Sequence, residues 1–507
     1  MENNKIKKEI NDIVNDNLKA LEQLFPSAVK EGQLDIKALK EELGDFEEVT
    51  TEKYELNWAG KQNAKKIVQQ GIGNKTLKFV EKDSKNADTT ENIYIEGDNL
   101  EVLKLLRQNY YNSIKMIYID PPYNTGNDFV YNDTFKMDKE ESDKAEGIIS
   151  ENNEKLQKNQ KSTNRYHANW LNMMYPRLKL ARDLLTDDGV IFISIDDNEQ
   201  ANLKRLCDEI FGEENFVADI IWNSTKSVTN TALISVSHTH NLVYFKNINY
   251  YIKNREKFRL PDDGEGFSNP DNDPRGAWKA DPFQVGGWRP NQQYEIVNPK
   301  TGIVYKPNSG CSWKNDLKKY EELLKDNRIV FGKNGESGPQ RKRFIWEAKE
   351  RGKVVKTLWN DIETTTNGTQ LLKKIFNGKS IFDNPKPVEL LTRILNLSTS
   401  SKEHNIILDF FSGSATTAHA VMQLNSEDNG NRKYIMVQLP ETTDEKSEAF
   451  KAGYKNIAEI GKERIRRAGE KIKQEIEEYN SNLKLGEEPK KVPDIGFKVF
   501  KVDDTNI

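Results

Sequence analysis

Short apolar runs alternate with helical patterns in two parts of the chain, residues 92–245 and 384–442. The runs at 114–119 and 189–195 are almost continuously apolar, as expected for strands buried on both faces of a parallel sheet. Between these runs, apolar positions recur at helical spacing. The alternation predicts a doubly wound α/β domain in which the two parts contribute to one sheet.

The remaining segments have different patterns. Residues 1–91 carry apolar positions at helical spacing, interrupted by Pro26, and predict a helical N-terminal region. Residues 246–383 contain glycines, prolines and scattered tryptophans, which favour a separate domain, whereas 443–507 predict a C-terminal helical segment. The charged stretch 136–163 has no apolar period and predicts a surface loop.

Composition narrows the class of protein. The content of 36% hydrophobic and 31% charged residues indicates a folded chain with a charged surface, and 507 residues predict two or three domains. The two cysteines, Cys207 and Cys311, lie far apart, which excludes a disulfide scaffold and a zinc finger. Because no apolar run approaches the roughly 20 residues of a membrane helix, and no secretory signal is evident, we expect a cytoplasmic protein without a membrane partner.

The strongest chemical signal follows the apolar run at 114–119 and consists of Asp120, Pro121, Pro122 and Tyr123. An exocyclic aromatic amine is a poor nucleophile, because its lone pair is delocalised into the ring. The Asp120 carboxylate and the Pro121 carbonyl, stiffened by the fixed φ of both prolines, can accept hydrogen bonds from its two N–H groups. Tyr123 offers a flat ring on which an extruded base can stack. A simple strand-terminating turn is the competing interpretation.

A second signal lies at residues 409–417, which predict a strand, a turn of small residues and a helix. Small residues such as Gly413 let the backbone approach a ligand, and a helix N-terminus attracts a carboxylate. Asp98 and Glu441 also follow predicted strands, where acidic side chains accept hydrogen bonds from a nucleoside. An ordinary strand-to-helix turn is the alternative for 409–417 alone. Together these positions predict one ligand site at the carboxyl ends of the strands.

The motifs resemble those of the DNA amino-methyltransferases, whose β class also places the catalytic motif before the cofactor motif. Longer stretches are similar to the modification subunits of type III restriction-modification systems, namely 54–61, 95–103, 120–135 and 460–467. This resemblance covers nearly the whole chain. It implies a Rossmann-like, seven-stranded methyltransferase sheet, circularly permuted, with a target-recognition domain inserted at 246–383.

The same resemblance implies a reaction and a set of site residues. The chain would transfer a methyl group from S-adenosyl-L-methionine to N6 of an adenine flipped out of double-stranded DNA. The sulfonium donor is already activated, so no metal is expected for methyl transfer. The residues implied for catalysis are Asp120, Pro121, Pro122 and Tyr123, and those implied for cofactor binding are Asp98, Lys386, Asp409, Phe411, Gly413, Thr416 and Glu441. Ala415 replaces the second glycine that is usual in the family, and this departure bears on cofactor affinity.

The resemblance also implies partners, namely a second copy of the chain in a homodimer and a separate restriction subunit with translocase and nuclease activities, since the chain contains no Walker motif. Three alternatives stay open: a cytosine-N4 methyltransferase, a methyltransferase of RNA or protein amides, and a non-catalytic DNA-specificity subunit. Cytosine-N4 enzymes more often have serine at the position of Asp120, which favours adenine. The large inserted domain favours duplex DNA.

Three weaker patterns have simpler interpretations. Residues 71–76 lack the glycine before Lys75 that a phosphate loop requires and predict a surface turn. His238 and His240 alternate on a predicted strand and so share a face, but two histidines without a third ligand predict plain strand residues. The basic stretch 333–343 fits either contacts to DNA phosphates or a solvated loop.

Overall fold

The computed structural model describes residues 13–30, 33–45, 55–126, 129–131, 156–158, 165–332, 335–484 and 486–504. The chain divides into two compact units: the first comprises Met1–Arg255 and Lys356–Ile507, and the second is Glu256–Val355. The second unit lies wholly within the expected recognition segment, 246–383. Most of the predicted surface loop, 136–163, and the first 12 residues of the predicted N-terminal helical region lie outside the described residues.

A large mixed sheet forms the centre of the first unit. Its strands are, in chain order, β1 Lys75–Phe79, β2 Ile93–Glu96, β3 Ile114–Ile119, β4 Leu185–Ile195, β5 Phe216–Trp222, β6 Thr239–Phe245, β7 Leu358–Trp359, β8 Ile406–Asp409, β9 Lys433–Gln438 and β10 Lys498–Asp504. Their order across the sheet is β7-β5-β6-β4-β3-β8-β9-β2-β10-β1. All run in one direction except β6 and β1, which are antiparallel to their neighbours. This is a mixed, mostly parallel α/β sheet.

The sheet has ten strands within the described residues, against the seven that we expected. The additional pairing lies at the two edges: β7 contains only two residues, and β10 and β1 come from segments near opposite ends of the chain. Lysines interrupt the apolar positions of the edge strand β1, and lysines and aspartates interrupt those of its neighbour β10, because both strands are only partly buried. In contrast, every residue of β3 is buried, as its continuous apolar run predicts.

Helices cover the faces of this sheet and support the strand ends. The helices of the first unit are Ile13–Leu24, Ile36–Glu42, Lys61–Gln69, Asn99–Tyr110, Tyr166–Leu184, Gln200–Phe211, Ile248–Lys253, Thr365–Ile375, Val388–Ser398, Thr416–Asp428, Glu448–Lys451 and Ile457–Ser481. Apolar side chains from the sheet and from these helices form one continuous core, which includes the fully buried Trp170 and Leu408. Among the described helices, none is both long and apolar enough to span a membrane.

The second unit is smaller and has its own apolar core. A three-stranded sheet of Trp278–Pro282, Gln340–Phe344 and Ile329–Val330 lies beside the helices Leu317–Lys325 and Ile345–Arg351. The apolar core of the second unit contains Phe283, Ile296, Trp313, Tyr320, Leu323, Ile329 and Phe331.

The end of the basic stretch 333–343 does not form a solvated loop, which was one of its two interpretations, whereas residues 333–334 lie outside the described residues. Its last residues belong to the strand Gln340–Phe344, and Lys342 is fully buried. The Lys342 ammonium pairs with Asp271 and also with Asp273, at 3.0 Å. Because these carboxylates compensate its charge inside the unit, Lys342 is a structural residue and not a phosphate contact.

Candidate active site

The two predicted motifs meet at one edge of the sheet. Strands β3 and β8 are parallel neighbours, with Leu408 level with Ile117. Asp120 follows the last residue of β3, and Asp409 is the last residue of β8. The carboxyl ends of adjacent parallel strands lie side by side, so the catalytic and cofactor motifs share this edge although almost 300 residues separate them along the chain.

Both oxygens of the Asp120 carboxylate accept hydrogen bonds from side chains. The Tyr123 hydroxyl donates to Oδ1 at 2.9 Å, and the Lys386 ammonium donates to Oδ2 at 2.5 Å. The same ammonium lies over the Tyr123 ring, 5.3 Å from its centroid. The Asp120 side chain remains 28% exposed, so the carboxylate is fixed in direction and still open to a ligand. Lys386 therefore contacts the catalytic motif directly, although the family pattern implies a role in the cofactor pocket.

A glycine on a neighbouring helix sets the position of the Lys386 loop. Gly368, on the helix Thr365–Ile375, is buried against the backbone of this loop. A Cβ on Gly368 would lie 2.4 Å from the Pro385 carbonyl oxygen and 2.9 Å from the Pro387 nitrogen. Because both prolines have fixed φ, the loop cannot easily yield, and the close approach through Gly368 determines where Lys386 sits.

The loop that carries Asp120 is anchored by residues that sequence reasoning missed. Trp170 donates its indole N–H to the Pro122 carbonyl at 2.7 Å. Asn124, the next residue after the motif, is fully buried with a φ of +59° and donates to the Glu199 carboxylate at 2.6 Å. Glu199 is also fully buried. The signal available in the sequence was Asn124 itself, because asparagine is the residue that tolerates a left-handed turn when no glycine is present.

The carboxyl group of Asp409 organises the turn between β8 and the following helix. Its Oδ2 accepts from the Thr417 hydroxyl at 2.6 Å and its Oδ1 from the Phe411 N–H at 3.1 Å. Burial, together with the negative charge of Asp120, raises the pKa of Asp409 to about 7 against the opposing effect of these two hydrogen bonds. Asp409 and Asp120 are thus electrostatically coupled.

Two left-handed residues shape the turn after Asp409. Gly413 has a φ of +51°, and a Cβ there would meet the Phe382 ring at 3.2 Å. Ala415 has a φ of +61° and precedes the helix Thr416–Asp428. The alanine therefore occupies a conformation that glycine adopts without strain. Gly413 donates its N–H to the side-chain carbonyl of Gln438 at 2.7 Å.

The C-terminal helix Ile457–Ser481 supports the same turn through Arg464. This guanidinium is fully buried and donates to the hydroxyls of Ser414, at 2.9 Å, and Thr416, at 2.7 Å. Among the described residues no carboxylate lies within ion-pair distance of it, and burial lowers its pKa to about 9. One turn earlier on the helix, Gly461 lets the helix backbone approach the Gly413 carbonyl. An uncompensated guanidinium at a helix N-terminus makes this turn electropositive.

Asp98 and Glu441 occupy the ends of neighbouring strands but have local partners. The Asp98 carboxylate caps the helix Asn99–Tyr110, accepting from the Leu100 N–H at 2.8 Å, and lies 3.7 Å from the Arg177 guanidinium. Glu441 lies 3.5 Å from the Gln438 amide nitrogen, so Gln438 connects it with Gly413. Sequence reasoning missed Gln438, although a glutamine at the end of an apolar strand was a visible signal.

Phe411 completes the group of predicted cofactor residues. Its side chain is 8% exposed and packs with the central core, and its ring centroid lies 5.4 Å from that of Phe410. The Phe410 carbonyl accepts a hydrogen bond from the Asn99 side chain at 2.7 Å. This bond ties the turn after β8 to the helix that Asp98 caps. The predicted residues therefore gather at adjoining strand ends of the first unit.

This combination of fold and site defines a class of protein. Residues 114–443 match the model of the DNA methylase family, and the chain belongs to that family. Sequence relatives narrow the class to the modification subunits of type III restriction-modification enzymes. The StyLTI Mod subunit of Salmonella typhimurium is 37% identical over 85% of this chain, and the EcoP15I Mod subunit of Escherichia coli is 33% identical over 84% of it.

The relatives differ in the share of their own length that this chain spans. The chain spans 65% of the length of StyLTI Mod and 70% of EcoP15I Mod. The Type II methyltransferase M.KpnI of Klebsiella pneumoniae is 33% identical over 73% of this chain and 86% of its own. Among solved structures, the cytosine-N4-specific PvuII DNA methyltransferase covers 75% of this chain and 94% of its own at 11% identity, and its TM-score of 0.33 is too low to support an inference.

Proposed function

We propose that this chain transfers a methyl group from S-adenosyl-L-methionine to N6 of a flipped adenine in duplex DNA. In this proposal it acts as the modification and recognition subunit of a type III restriction-modification system. The observation that carries the proposal is the exposed Asp120 carboxylate, fixed by Tyr123 and Lys386 beside the turn that follows β8. Membership of the DNA methylase family supports the reaction class.

The proposed role of Asp120 and Pro121 is to prepare the amine. The carboxylate and carbonyl oxygens accept hydrogen bonds from the two N–H groups of the amine. These hydrogen bonds draw the amine nitrogen toward a tetrahedral geometry, so that its lone pair becomes available. The Lys386 ammonium and the Tyr123 hydroxyl hold the carboxylate in one direction, which removes the reorganisation that a mobile side chain would require. The Tyr123 ring stacks the base, and the flanking Pro122 fixes the ring's approach.

The residues around the turn after β8 fit S-adenosyl-L-methionine, which supplies an electrophilic methyl group on a sulfonium when it is bound. Gly413 and Ala415 keep the backbone of the turn open, and the helix that starts at Thr416 points its N-terminal N–H groups toward it. The buried Arg464 adds positive charge, which suits the carboxylate of a methionyl group. In the proposal, Phe411 packs against the adenine ring.

The acidic residues complete the proposed pocket. Asp409 lies on the side of the turn that faces Asp120 and would contact the methionyl part. Glu441, held through Gln438, would accept from the ribose hydroxyls, and Asp98 would act through the end of the helix that it caps. Lys386 joins this pocket to Asp120, so one side chain serves both parts of the site.

We further propose that 246–383 reads the DNA sequence and that the catalytic sheet is a circularly permuted one formed by 92–245 and 384–442. The second unit carries a groove whose basic residues suit phosphate contacts. These residues are Arg259, Lys279, Arg343, Arg351 and Lys353, and they outnumber the two carboxylates that also line the groove, Asp262 and Glu265. A homodimer and a separate restriction subunit are part of the same proposal, and the Mod names of the relatives support the restriction subunit.

Cytosine-N4 transfer is the second candidate, because the family model covers enzymes of both specificities. The test incubates the purified chain with duplex DNA and methyl-labelled S-adenosyl-L-methionine, followed by digestion to nucleosides. Label in N6-methyl-2′-deoxyadenosine is the expected result, whereas label in N4-methyl-2′-deoxycytidine would favour the cytosine-N4 alternative. Absence of label with retained cofactor binding, measured by titration calorimetry, would favour a non-catalytic specificity subunit.

Two variants assign the chemistry to Asp120. Asp120→Ala should lower the transfer rate by a factor of 100 or more, as the loss of one oriented acceptor does, with the cofactor dissociation constant almost unchanged. Asp187→Asn is the matched control, because Asp187 is an exposed aspartate of the same unit. Retained turnover in Asp120→Ala would contradict the role assigned to its carboxylate.

A further inference from the structure

Three side chains that the proposed reaction does not use converge at the end of β4 and the start of β6. Within the described residues, Asp197, His238 and His240 form a group whose ligand atoms all lie within 4.8 Å of one another. The sequence predicted that His238 and His240 share a face, and it offered no third ligand. The fold supplies that ligand from a segment about 40 residues earlier in the chain.

The register of the sheet explains the convergence. Strands β4 and β6 are antiparallel, and His240 lies opposite Ile195. Continuing this register by two residues in each strand places His238 opposite Asp197. Because side chains alternate between the two faces of a sheet, His238, His240 and Asp197 project from the same face. The cluster thus follows from the pairing of β4 with β6, although Asp197 and His238 themselves lie just outside the two strands.

The distances fit the geometry of a tetrahedral metal site. Asp197 Oδ1 lies 2.9 Å from His240 Nε2 and 3.6 Å from His238 Nε2, and the two Nε2 atoms are 3.3 Å apart. Zinc bonds of about 2.0–2.1 Å to nitrogen and oxygen at tetrahedral angles require ligand atoms about 3.3 Å apart. The three observed separations lie around this value, so a cation can be accommodated with shifts of a few tenths of an ångström.

A second carboxylate orients the most buried of the three ligands. His240 Nδ1 lies 2.8 Å from Asp219 Oδ2, and Gln200 donates to the same oxygen at 2.9 Å. With Nδ1 donating to Asp219, the lone pair of a neutral His240 lies on Nε2, which faces Asp197 and His238. Histidines that bind zinc are usually oriented by such a carboxylate on the opposite ring nitrogen.

The exposures of the ligands leave one side of the cluster open. The side chain of His240 is 13% exposed, that of His238 is 33% exposed and that of Asp197 is 59% exposed. Three protein ligands with solvent on the fourth side are the arrangement in which a zinc-class ion keeps an exchangeable position for water or another ligand. Two imidazoles and one carboxylate suit zinc, cobalt or nickel better than magnesium or calcium, which prefer oxygen ligands.

We propose that Asp197, His238 and His240 form a binding site for one divalent transition-metal ion of the zinc class. The ion would link the start of β6 to the turn that follows β4. Strand β4 is the parallel neighbour of β3, so this link lies at the same edge of the sheet as Asp120. The site is separate from the methyl-transfer residues, and its test does not depend on the proposed reaction.

The experiment titrates the metal-free, full-length chain with cobalt(II) and follows the visible absorption of the bound ion. We expect saturation at one equivalent per chain and displacement by zinc. Asp197→Asn and His238→Asn should each weaken binding at least tenfold, and Asp219→Asn should weaken it by a factor of about 10 to 100, the usual effect of losing an orienting carboxylate. Both Asp197 and His238 are partly exposed, so their substitution does not threaten the core.

The matched control is His404→Asn, which removes an exposed histidine of the same unit that bonds only to Asn431 in the side-chain contacts described. This variant should bind cobalt like the unchanged chain. Absence of saturable binding would overturn the proposal. So would equal cobalt affinity in His404→Asn, Asp197→Asn and His238→Asn, because binding would then occur at other surface groups.

Discussion

The raised pKa of the buried Asp409 carboxyl predicts how the free energy of unfolding changes with pH. Burial raises the pKa of this carboxyl to about 7 in the folded chain, whereas the ordinary value is 3.8. Substitution by asparagine gives a side chain of the same shape that never ionises. Its oxygen can still accept from the Phe411 N–H, and the Thr417 hydroxyl can rotate to accept from the new amide group. The substitution therefore isolates the effect of charge.

The sign and size of the effect follow from proton linkage. Below pH 3.8 the Asp409 carboxyl is protonated in both the folded and the unfolded chain. Between pH 3.8 and about 7 the folded chain binds more protons, so the free energy of unfolding falls as pH rises, and it stops falling above the folded pKa. Each pH unit in that window corresponds to about 1.4 kcal/mol. From pH 5 to pH 8 the expected loss is about 3 kcal/mol.

The assay compares denaturant unfolding of the unchanged chain and of Asp409→Asn at pH 5 and pH 8. The stability of the variant relative to the unchanged chain should increase by about 3 kcal/mol over this interval, because only the unchanged chain carries the ionisable group. Asp187→Asn, at an exposed position, is the control and should follow the unchanged chain at both pH values. Parallel pH curves for Asp409→Asn and the unchanged chain would refute the assignment of a raised pKa to Asp409.

Three further substitutions test the supports of the site. Arg464→Met should raise the dissociation constant of S-adenosyl-L-methionine at least tenfold in calorimetry, because the two hydroxyls at the helix N-terminus lose their donor; an unchanged constant would contradict this role. Gly368→Ala should lower the methyl-transfer rate about 10- to 100-fold, since the added Cβ displaces the loop of Lys386; a normal single-turnover rate would contradict this role of Gly368. Ala415→Val should cost about 3 kcal/mol in thermal unfolding, from overpacking at a left-handed, fully buried position, while Ala415→Gly stays folded and binds cofactor; equal stability of the two variants would argue against strain at Ala415.

The central strands could be predicted from the sequence, and the strands at or next to the edges of the sheet could not. Strands β3 and β4 are long apolar runs, and such runs have few other places in a globular protein than the middle of a sheet. Strand β10 alternates lysines and aspartates with apolar residues, and β7 has only two residues, Leu358 and Trp359. Their strand conformation comes from pairing with a neighbour distant in sequence, which no local pattern records.

The chemical motifs identified residues at the site but not their partners. Asp120 and Asp409 follow from local patterns, since each ends an apolar run. The Lys386 bond to Asp120 spans 266 residues and the Arg464 bond to Ser414 spans 50, so neither pairing is visible without the fold. The same holds for Asp197, which becomes a third neighbour of His238 and His240 only through the register of β4 and β6.

The pairing of Lys386 with Asp120 bears on why the two halves of the sheet act together. A carboxylate that is 28% exposed gains little from a lone surface ion pair, but Lys386 is only 11% exposed and its loop is held by two prolines above Gly368. Fixing this lysine costs side-chain conformational entropy. Packing of its loop offsets that cost, so the interaction with Asp120 does not have to. Because the lysine lies in the loop before the helix Val388–Ser398 and the aspartate directly follows β3, Asp120 acquires its fixed direction only when these two distant segments are folded against each other. The motif around Asp120 can thus be complete in the sequence while the orientation of its carboxylate still depends on a segment hundreds of residues away.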